Sequence, residues 1–375
     1  MMRFAYLAAA AIFLAACAHD STGVIPSGNS STALATGAAP SQSSRFESET
    51  SILKSLKKQV VIGSTIDPKL HQLNPYGLTL APATTGAFQK GDLVVCNFNA
   101  KNNVQGTGYT IVALHPKPGS SPTLVSDSKT LTGCAALALG PADDIWAAAF
   151  SADDNPVLSA SGKLEANIKG KDFDHPWGQV YAQPKSGNPA FYESNAGKGT
   201  IVRINLGAKF TYDVIASGFA VNHGKPGSIF APSGLTYDPS IDTLYIVDGT
   251  NDTVVAFANV TKIPAGGITV GKDGKSFSGP DAKDARLVFS GAPLDGPISA
   301  TLLFNGNLVV GNTSNPSGQN LMVELTPSGK VLDVRNVDKG ASGALFGIVA
   351  TGSSAADTKV YFNDDNDNDL RVLER

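Results

Sequence analysis

The sequence predicts an all-β protein in which one short-stranded unit is repeated six times along the chain. The chain has 375 residues, including 39 glycines and 22 prolines, whereas methionine and tryptophan number only 3 and 2. Such a composition is typical of many short strands separated by tight turns. From residue 74 onward, apolar stretches alternate with turns rich in Asn, Asp and Gly. These observations favour a β-repeat architecture over a helical bundle.

Charge and composition limit the classes of partner. The formal net charge is −3 and the sequence pI is about 6.0. Lys57 and Lys58 form an isolated basic pair and do not belong to a basic run. A protein that binds nucleic acid normally carries a concentrated basic surface, so we expect no nucleic-acid partner.

The amino terminus has the layout of an export signal. Arg3 precedes an apolar run from Phe4 to Ala16, which ends at Cys17. This run is shorter than the roughly 20 helical residues that a membrane span requires. Residues 14–17, Leu-Ala-Ala-Cys, resemble the bacterial lipobox, which implies cleavage before Cys17 and attachment of lipid to its thiol. The alternative is an ordinary signal peptide in which Cys17 is incidental.

The resemblance implies a lipoprotein of the cell envelope. We expect the outer membrane, because Ala18 follows the cysteine where an Asp would retain a lipoprotein in the inner membrane. Residues 1–16 would be the signal peptide, and residues 17–46, which are mostly Ser, Thr, Ala, Gly and Pro, a flexible tether. Residues 47–58 are predicted to be a short helix or linker, because their apolar residues have near-helical spacing. The repeated units occupy residues 59–375.

The clearest copy of the repeat is residues 232–257, PSGLTYDPSIDTLYIVDGTNDTVVAF. It contains three predicted strands, with a polar turn at Asp248 to Asp252 between the second and the third. Residues 345–373 repeat the same order, with Asn363 to Asn368 in place of that turn. We therefore predict a hairpin turn at this acidic run, because Asn, Asp and Gly tolerate positive φ angles.

Six copies are found, spaced by about 45 to 64 residues, as expected for propeller blades enlarged by loops. Their second strands begin near Leu93, Ile145, Ala190, Leu244, Leu308 and Val360. The repeat resembles the NHL-type β-propeller repeat, which implies a closed ring of six blades. A glycine opens four inner strands, where a residue without Cβ permits close backbone approach. These are Gly77, Gly178, Gly234 and Gly347.

Closure of the ring is predicted to involve the amino terminus. The sixth unit supplies only three strands before the chain reaches Arg375, whereas Gln59 to Gly63 is a strand without a blade. We expect this strand to add to the outer edge of the sixth blade, beside Leu370 to Leu373. The fifth blade has Ile298 to Ala300 where the glycine is expected, so its register is open.

Candidate ligand-binding residues lie in the loops of one propeller face. The turns between second and third strands and the segments leading into the inner strands meet there, at the axial mouth. The turn candidates are Asn97, Asn195, Asp248, Asn251, Asn312, Asn363 and Asp364. The candidates leading into inner strands are His175, Trp177, Asn222 and His223. Such a ring suits a polyol, a sugar or a hydrated cation, with Trp177 for stacking. The alternative is that Asn and Asp are common in turns for backbone reasons.

Two groups of residues are candidates for metal binding, and each also has a simpler interpretation. Asp365, Asp367 and Asp369 alternate as ligands do in a calcium loop, but the following glycine and glutamate are missing. The pattern therefore favours a turn without a cofactor, and a divalent cation such as calcium is the alternative. His175 and His223 are a possible zinc pair, although isolated loop histidines are commoner.

A disulfide between Cys96 and Cys134 is expected. Both cysteines remain after processing, and the compartment of an exported protein is oxidising. The two residues belong to adjacent blades, so their Cα atoms can come within about 7 Å, as a disulfide requires. The alternative is two buried thiols.

Two classes of function fit the sequence. The first is a non-catalytic lipoprotein that is held at the membrane through Cys17 and binds a glycan, a small polar ligand or a partner protein. The second is a metal-dependent hydrolase or lyase resembling gluconolactonase-type lactonases, which place a Glu, an Asn and one or two Asp around a divalent ion at the axis. No glutamate stands where the inner strands begin, so the binding class is favoured. Those positions hold Tyr76, Gly133, Trp177, Ser233, Ser299 and Phe346.

Overall fold

The computed structural model describes residues 48–207, 209–314 and 318–375. The predicted signal peptide and tether, including Cys17, lie outside the described residues. The described chain forms six antiparallel sheets of four strands, one of them with two further strands. The inner strands of successive sheets contact one another, and the last contacts the first. This confirms the predicted six-bladed β-propeller. No helix among the described residues is long and apolar enough to cross a membrane.

Each blade has an inner, a second, a third and an outer strand. The inner strands are Leu73–Leu80, Cys134–Leu139, Pro176–Ala182, Pro232–Asp238, Pro297–Leu302 and Leu345–Thr351. The second strands are Leu93–Asn99, Ile145–Ala149, Ala190–Asn195, Thr243–Asp248, Leu308–Asn312 and Lys359–Asp364. The third strands are Thr110–Leu114, Asp154–Leu158, Thr200–Asn205, Thr253–Ala258, Asn320–Leu325 and Asp369–Glu374. The outer strands are Thr123–Ser126, Leu164–Lys169, Thr211–Ser217, Ala285–Ser290, Val331–Asp338 and, in the sixth blade, Lys58–Ser64.

The described chain contains little structure beyond the blades. An insertion between the third and outer strands of the fourth blade supplies Ile268–Val270, which pairs in parallel with the outer strand of the third blade. Phe277–Ser278 then extends that sheet further. The short 3-10 helices are Leu53–Ser55, Lys129–Leu131, Val260–Lys262 and Ala282–Asp284. Of the segment predicted as a helix or linker, only Leu53–Ser55 is helical among the described residues.

The amino-terminal strand closes the ring as predicted. Lys58–Ser64 pairs antiparallel with Asp369–Glu374, the third strand of the sixth blade. The segment before it is bound to the fifth blade, because the buried Glu324 carboxylate accepts the backbone N–H groups of Ile52 and Leu53 at 3.1 and 2.8 Å. Both ends of the described chain are therefore fixed beside each other.

Small residues let the inner strands converge. A Cβ at Gly178 would lie 2.0 Å from the Ser233 carbonyl oxygen, and one at Gly234 would lie 2.5 Å from the Ser299 Cα. Ser299 takes the glycine position in the fifth blade, which resolves its open register. In the second blade Ala136 takes that position, so the inner strand is displaced by two residues from the predicted register.

Candidate functional site

An aromatic cluster fills the upper mouth of the axial channel. The upper face is defined here as the face on which all six inner strands begin; the turns between second and third strands lie on it too. Tyr76 is stacked between Phe98 and Phe346, with ring centroids 4.1 and 3.7 Å apart. Trp177 and Phe150 pack beside these three rings, and the ring centroids of Trp177 and Phe150 are 5.2 Å apart. These five residues, called the aromatic plug, are all buried.

The channel below the aromatic plug is narrow, and no carboxylate is among the described residues that line it. Its volume is about 70 Å³, room for about two water molecules. The described residues that line it are apolar or neutral, such as Gln179 and Ser299. The side chains at the inner-strand positions nearest the axis are those of Tyr76, Ala135, Trp177, Ser233, Ile298 and Phe346, and none of these six is a carboxylate. In the second and fifth blades the register of the inner strand differs from the prediction. Ala135 and Ile298 therefore lie nearest the axis there, in place of the predicted Gly133 and Ser299.

Above the aromatic plug lies a cavity of about 360 Å³, called here the mouth cavity. Its floor is formed by Tyr76, Trp177, Ile298 and Phe346. Its walls are mainly small or neutral polar residues of the upper loops. These are Gln105, Gly227, Ser228, Ile229, Phe230, Thr313, Ser314, Ser342 and Gly343, together with the acidic Asp365.

A loop from the third blade covers one side of the mouth cavity. This roof loop, residues 222–230, reaches the turn of the first blade, where a Cβ at Gly227 would lie 2.8 Å from Gln105 Cγ. Asn222 holds the loop in shape: its Nδ2 donates to the Ser228 carbonyl at 2.9 Å, and its Oδ1 accepts from the Phe230 N–H at 2.8 Å. Asn222, a predicted ligand-binding residue, therefore supports the cavity wall.

Asp365 is the acidic group at the mouth cavity. Its backbone N–H donates to the Ala344 carbonyl at 2.9 Å, which fixes the turn. With its amide oriented to satisfy both ends, Asn74 donates to the two Asp365 carboxylate oxygens at 2.8 and 3.2 Å. Burial, together with the neighbouring Asp364 carboxylate, raises the pKa of Asp365 to about 7. Burial also raises the pKa of the Tyr76 hydroxyl.

Three predicted turn residues are buried in the framework and do not line the mouth cavity. Asp248 accepts hydrogen bonds from the Thr250 N–H and the Asn251 amide, at 3.0 and 2.9 Å, and so closes its own turn. Asn312 donates to the Pro293 carbonyl at 2.8 Å. Asn363 donates to the Gly77 carbonyl at 3.1 Å and thereby links the sixth blade to the first. These contacts match the alternative in which Asn and Asp serve the backbone.

Asp364 belongs to an ion-pair network around Arg371. Arg371 Nη1 lies 2.8 Å from Asp364 Oδ2, Nε lies 2.8 Å from Asp369 Oδ1, and Nη2 contacts Asp367. Burial raises the pKa of Asp364 to about 7, although Arg371 opposes the shift. The alternating acids considered as calcium ligands thus diverge: Asp367 and Asp369 face Arg371, whereas Asp365 faces the mouth cavity.

The two predicted histidines differ in their surroundings. His175 Nδ1 lies 3.1 Å from Asp153 Oδ1 and 3.0 Å from Asp174 Oδ1, and its ring meets Phe150 edge-on at 4.4 Å. His223 is exposed in the roof loop. Among the described residues, the His175 cluster with its two acids is a group of possible metal ligands, and it does not include His223.

Cys96 and Cys134 form a disulfide, with Cα atoms 5.9 Å apart. Cys96 lies on the second strand of the first blade, and Cys134 begins the inner strand of the second blade. Both side chains are buried. The bond therefore joins the first blade to the second within the core between them.

A second cavity, of about 340 Å³, opens on the lower face beside the third blade. Two cationic side chains, Arg203 and Lys262, are among the described residues that line it. Arg203 already donates to the Thr261 and Ile263 carbonyls at 3.1 and 2.9 Å and to Asp213 at 2.7 Å. The two carbonyl contacts of Arg203 hold the third blade against the fourth.

Several residues of the site were not predicted from the sequence. Gln105, Phe346 and Asp365 line the mouth cavity. The sequence predicts Phe346 only as the start of an inner strand and Asp365 only as an alternative calcium ligand, and it does not point to Gln105. Asp365 stands within a run of seven Asn and Asp residues, 363–369, and composition does not show which of them faces the axis. In the structure Asp365 is the first residue of the turn, directly after the second strand ends at Asp364.

Comparison with known proteins supports the fold and leaves the family open. No protein-family model and no curated protein matches the sequence. A gluconolactonase from Xanthomonas campestris superposes with a TM-score of 0.53 at 14% identity, over 84% of this chain and 91% of the other. A catalytically inactive variant of virginiamycin B lyase from Staphylococcus aureus, with quinupristin, superposes with a TM-score of 0.50 at 13% identity, over 85% and 100%. Identities this low show the fold alone.

Proposed function

We propose that the protein is a lipid-anchored β-propeller of the outer membrane that binds a small polar ligand, such as a glycan ring, in the mouth cavity. The observation that carries this proposal is the cavity itself, which measures about 360 Å³ and has an aromatic floor and walls that combine neutral polar groups with the Asp365 carboxylate. Small-molecule pockets typically measure about 300 to 1,000 Å³ and combine apolar surface with a few polar groups. Gln105, Ser228 and Thr313 supply such groups here.

Binding is favoured over metal-dependent hydrolysis or lyase chemistry. The similar structures include a gluconolactonase and a lyase, but a shared propeller fold hosts many unrelated functions. The inner-strand positions nearest the axis carry Tyr76, Ala135, Trp177, Ser233, Ile298 and Phe346. None of these side chains is a carboxylate, and oxygen-rich ligands are what hard divalent cations prefer.

The attachment point of the amino terminus agrees with a ligand site that is open to solvent. Asn307 Nδ2 donates to the Ser48 carbonyl at 3.3 Å. Asn307 immediately precedes the second strand of the fifth blade, which starts on the lower face. The described chain therefore begins, at Ser48, on the face opposite the mouth cavity.

The test is a binding screen against an occluded cavity. A panel of sugars and small polar metabolites is screened by thermal shift, and hits are measured by isothermal titration calorimetry. Ser342→Trp fills the cavity from an exposed wall position, and Ser161→Trp makes the same change at an exposed position on the lower face. We expect ligands to bind the wild type and the Ser161→Trp variant but not Ser342→Trp. Binding that survives in Ser342→Trp would place the site elsewhere and overturn the proposal.

A further inference from the structure

Among the described residues that line the mouth cavity, one carries a charge, and that charge is negative. Of the described residues that line it, Asp365 alone is ionisable near neutral pH, and none is Lys, Arg or His. The nearby cation Arg371 is shared among Asp338, Asp364, Asp367 and Asp369. No described basic side chain forms an ion pair with Asp365. The carboxylate therefore lacks a counter-ion from the described part of the protein.

Aromatic rings surround the same space. Both faces of Tyr76 are covered by Phe98 and Phe346, so the rings left to meet a ligand are Trp177, Phe346 and Phe230. The face of an aromatic ring attracts a cation, most strongly for Trp. A carboxylate beside such rings is electrostatically complementary to an organic cation and unfavourable to an anion.

Resting on the proposed function, we propose that the mouth cavity selects a small organic ammonium ion, with Asp365 as its counter-ion and Trp177 and Phe346 as its aromatic walls. A quaternary ammonium compound or a protonated amino sugar meets this description. The cavity volume of about 360 Å³ equals roughly twelve water-sized groups, which suits a molecule of this size.

The ionisation of Asp365 depends on the groups that face it and on whether a cation is bound. Asn74 donates to it from the first blade, Asp364 adjoins it in the sequence, and Tyr76 faces it from the cavity floor. The neighbouring negative charge of Asp364 and burial oppose ionisation of Asp365, whereas a bound cation favours it. Affinity for a cation should therefore rise as pH increases from about 6 to 8, while affinity for a neutral analogue should not.

The experiment compares isosteric pairs in calorimetric titrations of the full protein. Choline is paired with 3,3-dimethylbutan-1-ol, which has the same shape without the charge, and glucosamine is paired with glucose. We expect at least one cation to bind about tenfold or more tightly than its neutral mate, because charge-assisted and cation–π contacts are lost in the latter. Asp365→Asn should remove this preference. Asp367→Asn, the same change two residues away at an exposed position that does not line the cavity, should keep it.

The outcomes separate this inference from the proposed function. If glucose or another neutral compound binds as tightly as its cationic mate, and Ser342→Trp abolishes that binding, the cavity binds ligands but the selection of cations is wrong. If Asp367→Asn removes the preference as fully as Asp365→Asn does, Asp365 is not the counter-ion. If no compound distinguishes the wild type from Ser342→Trp, both proposals fail.

Discussion

The amino-terminal strand offers the sharpest test of how the ring is held closed. Ile62 and Val61 are adjacent β-branched residues on this strand, but Ile62 is 1% exposed and Val61 is 49% exposed. Ile62 packs against residues of the sixth and first blades, including Leu93 and Leu370. Its carbonyl also accepts a hydrogen bond from the Ser120 N–H at 2.9 Å. The strand therefore fastens the last blade to the first.

Substitution of each residue by alanine separates packing from pairing. Ile62→Ala removes three buried carbon groups, worth about 0.8 kcal/mol each on transfer, and leaves a cavity, so we expect a loss of about 2–5 kcal/mol. Val61→Ala keeps the same backbone pairing and should lose less than about 1 kcal/mol. For a folded unit of this size these losses lower the Tm by roughly 3–7 °C and 1 °C. Calorimetry under oxidising conditions measures both. Equal shifts, or no shift for Ile62→Ala, would refute the idea that this strand closes the ring by burial.

Further outcomes are expected elsewhere in the chain. Cys17→Ser should move the protein from the membrane fraction to the soluble fraction, and retention in the membrane would contradict the lipid anchor. Thiol titration in denaturant without reductant should find Cys96 and Cys134 unreactive, and two reactive thiols would contradict the disulfide. Gly178→Ala should lose about 1–3 kcal/mol, because its Cβ would meet the Ser233 carbonyl at 2.0 Å, whereas Gly207→Ala, with its nearest neighbour at 3.5 Å, should be nearly neutral; equal effects would argue against crowding at the axis.

The architecture could be predicted because its signals are local and repeated. Hairpin turns can be predicted from Asn, Asp and Gly. A strand that belongs to no blade is expected to pair with the free edge of another blade. The register of an inner strand is harder to predict where the small residue at the axis is not glycine. Ala136 and Ser299 fill that position in the second and fifth blades, so a search for glycine missed them.

The site could be predicted only in outline. The sequence placed Trp177 at the mouth, where it lines the cavity, but it could not separate the Asn and Asp residues that hold blades together from those that face the axis. Asn363 and Asp365 are two residues apart, yet one is fully buried against the first blade and the other lines the mouth cavity. Contacts between blades that are adjacent in space but distant in sequence decide this difference, and local composition does not reveal such contacts.

The placement of Asp365 makes opposite predictions for stability and for binding. Its pKa in the folded protein is about 7, above the ordinary 3.8, so the folded state holds a proton that the unfolded state has released between these values. Stability from this group is therefore present below about pH 4 and is lost as pH rises through 7. The difference of about three pKa units sets an upper limit of about 4 kcal/mol at pH 8, less where solvent screens the carboxylate.

Asp365→Asn mimics the protonated carboxyl and should stabilise the protein at pH 8 more than at pH 5, while it weakens cation binding. Urea unfolding at the two pH values measures the first effect, and choline titration measures the second. Asp364→Asn is the informative comparison, because Asp364 has a similarly raised pKa but faces Arg371 and not the cavity. It should change the pH dependence of stability without a loss of choline binding. If Asp365→Asn instead destabilises the protein equally at both pH values, the hydrogen bond between Asp365 and Asn74 is structural, and the Asp365 carboxylate is not the counter-ion of a ligand.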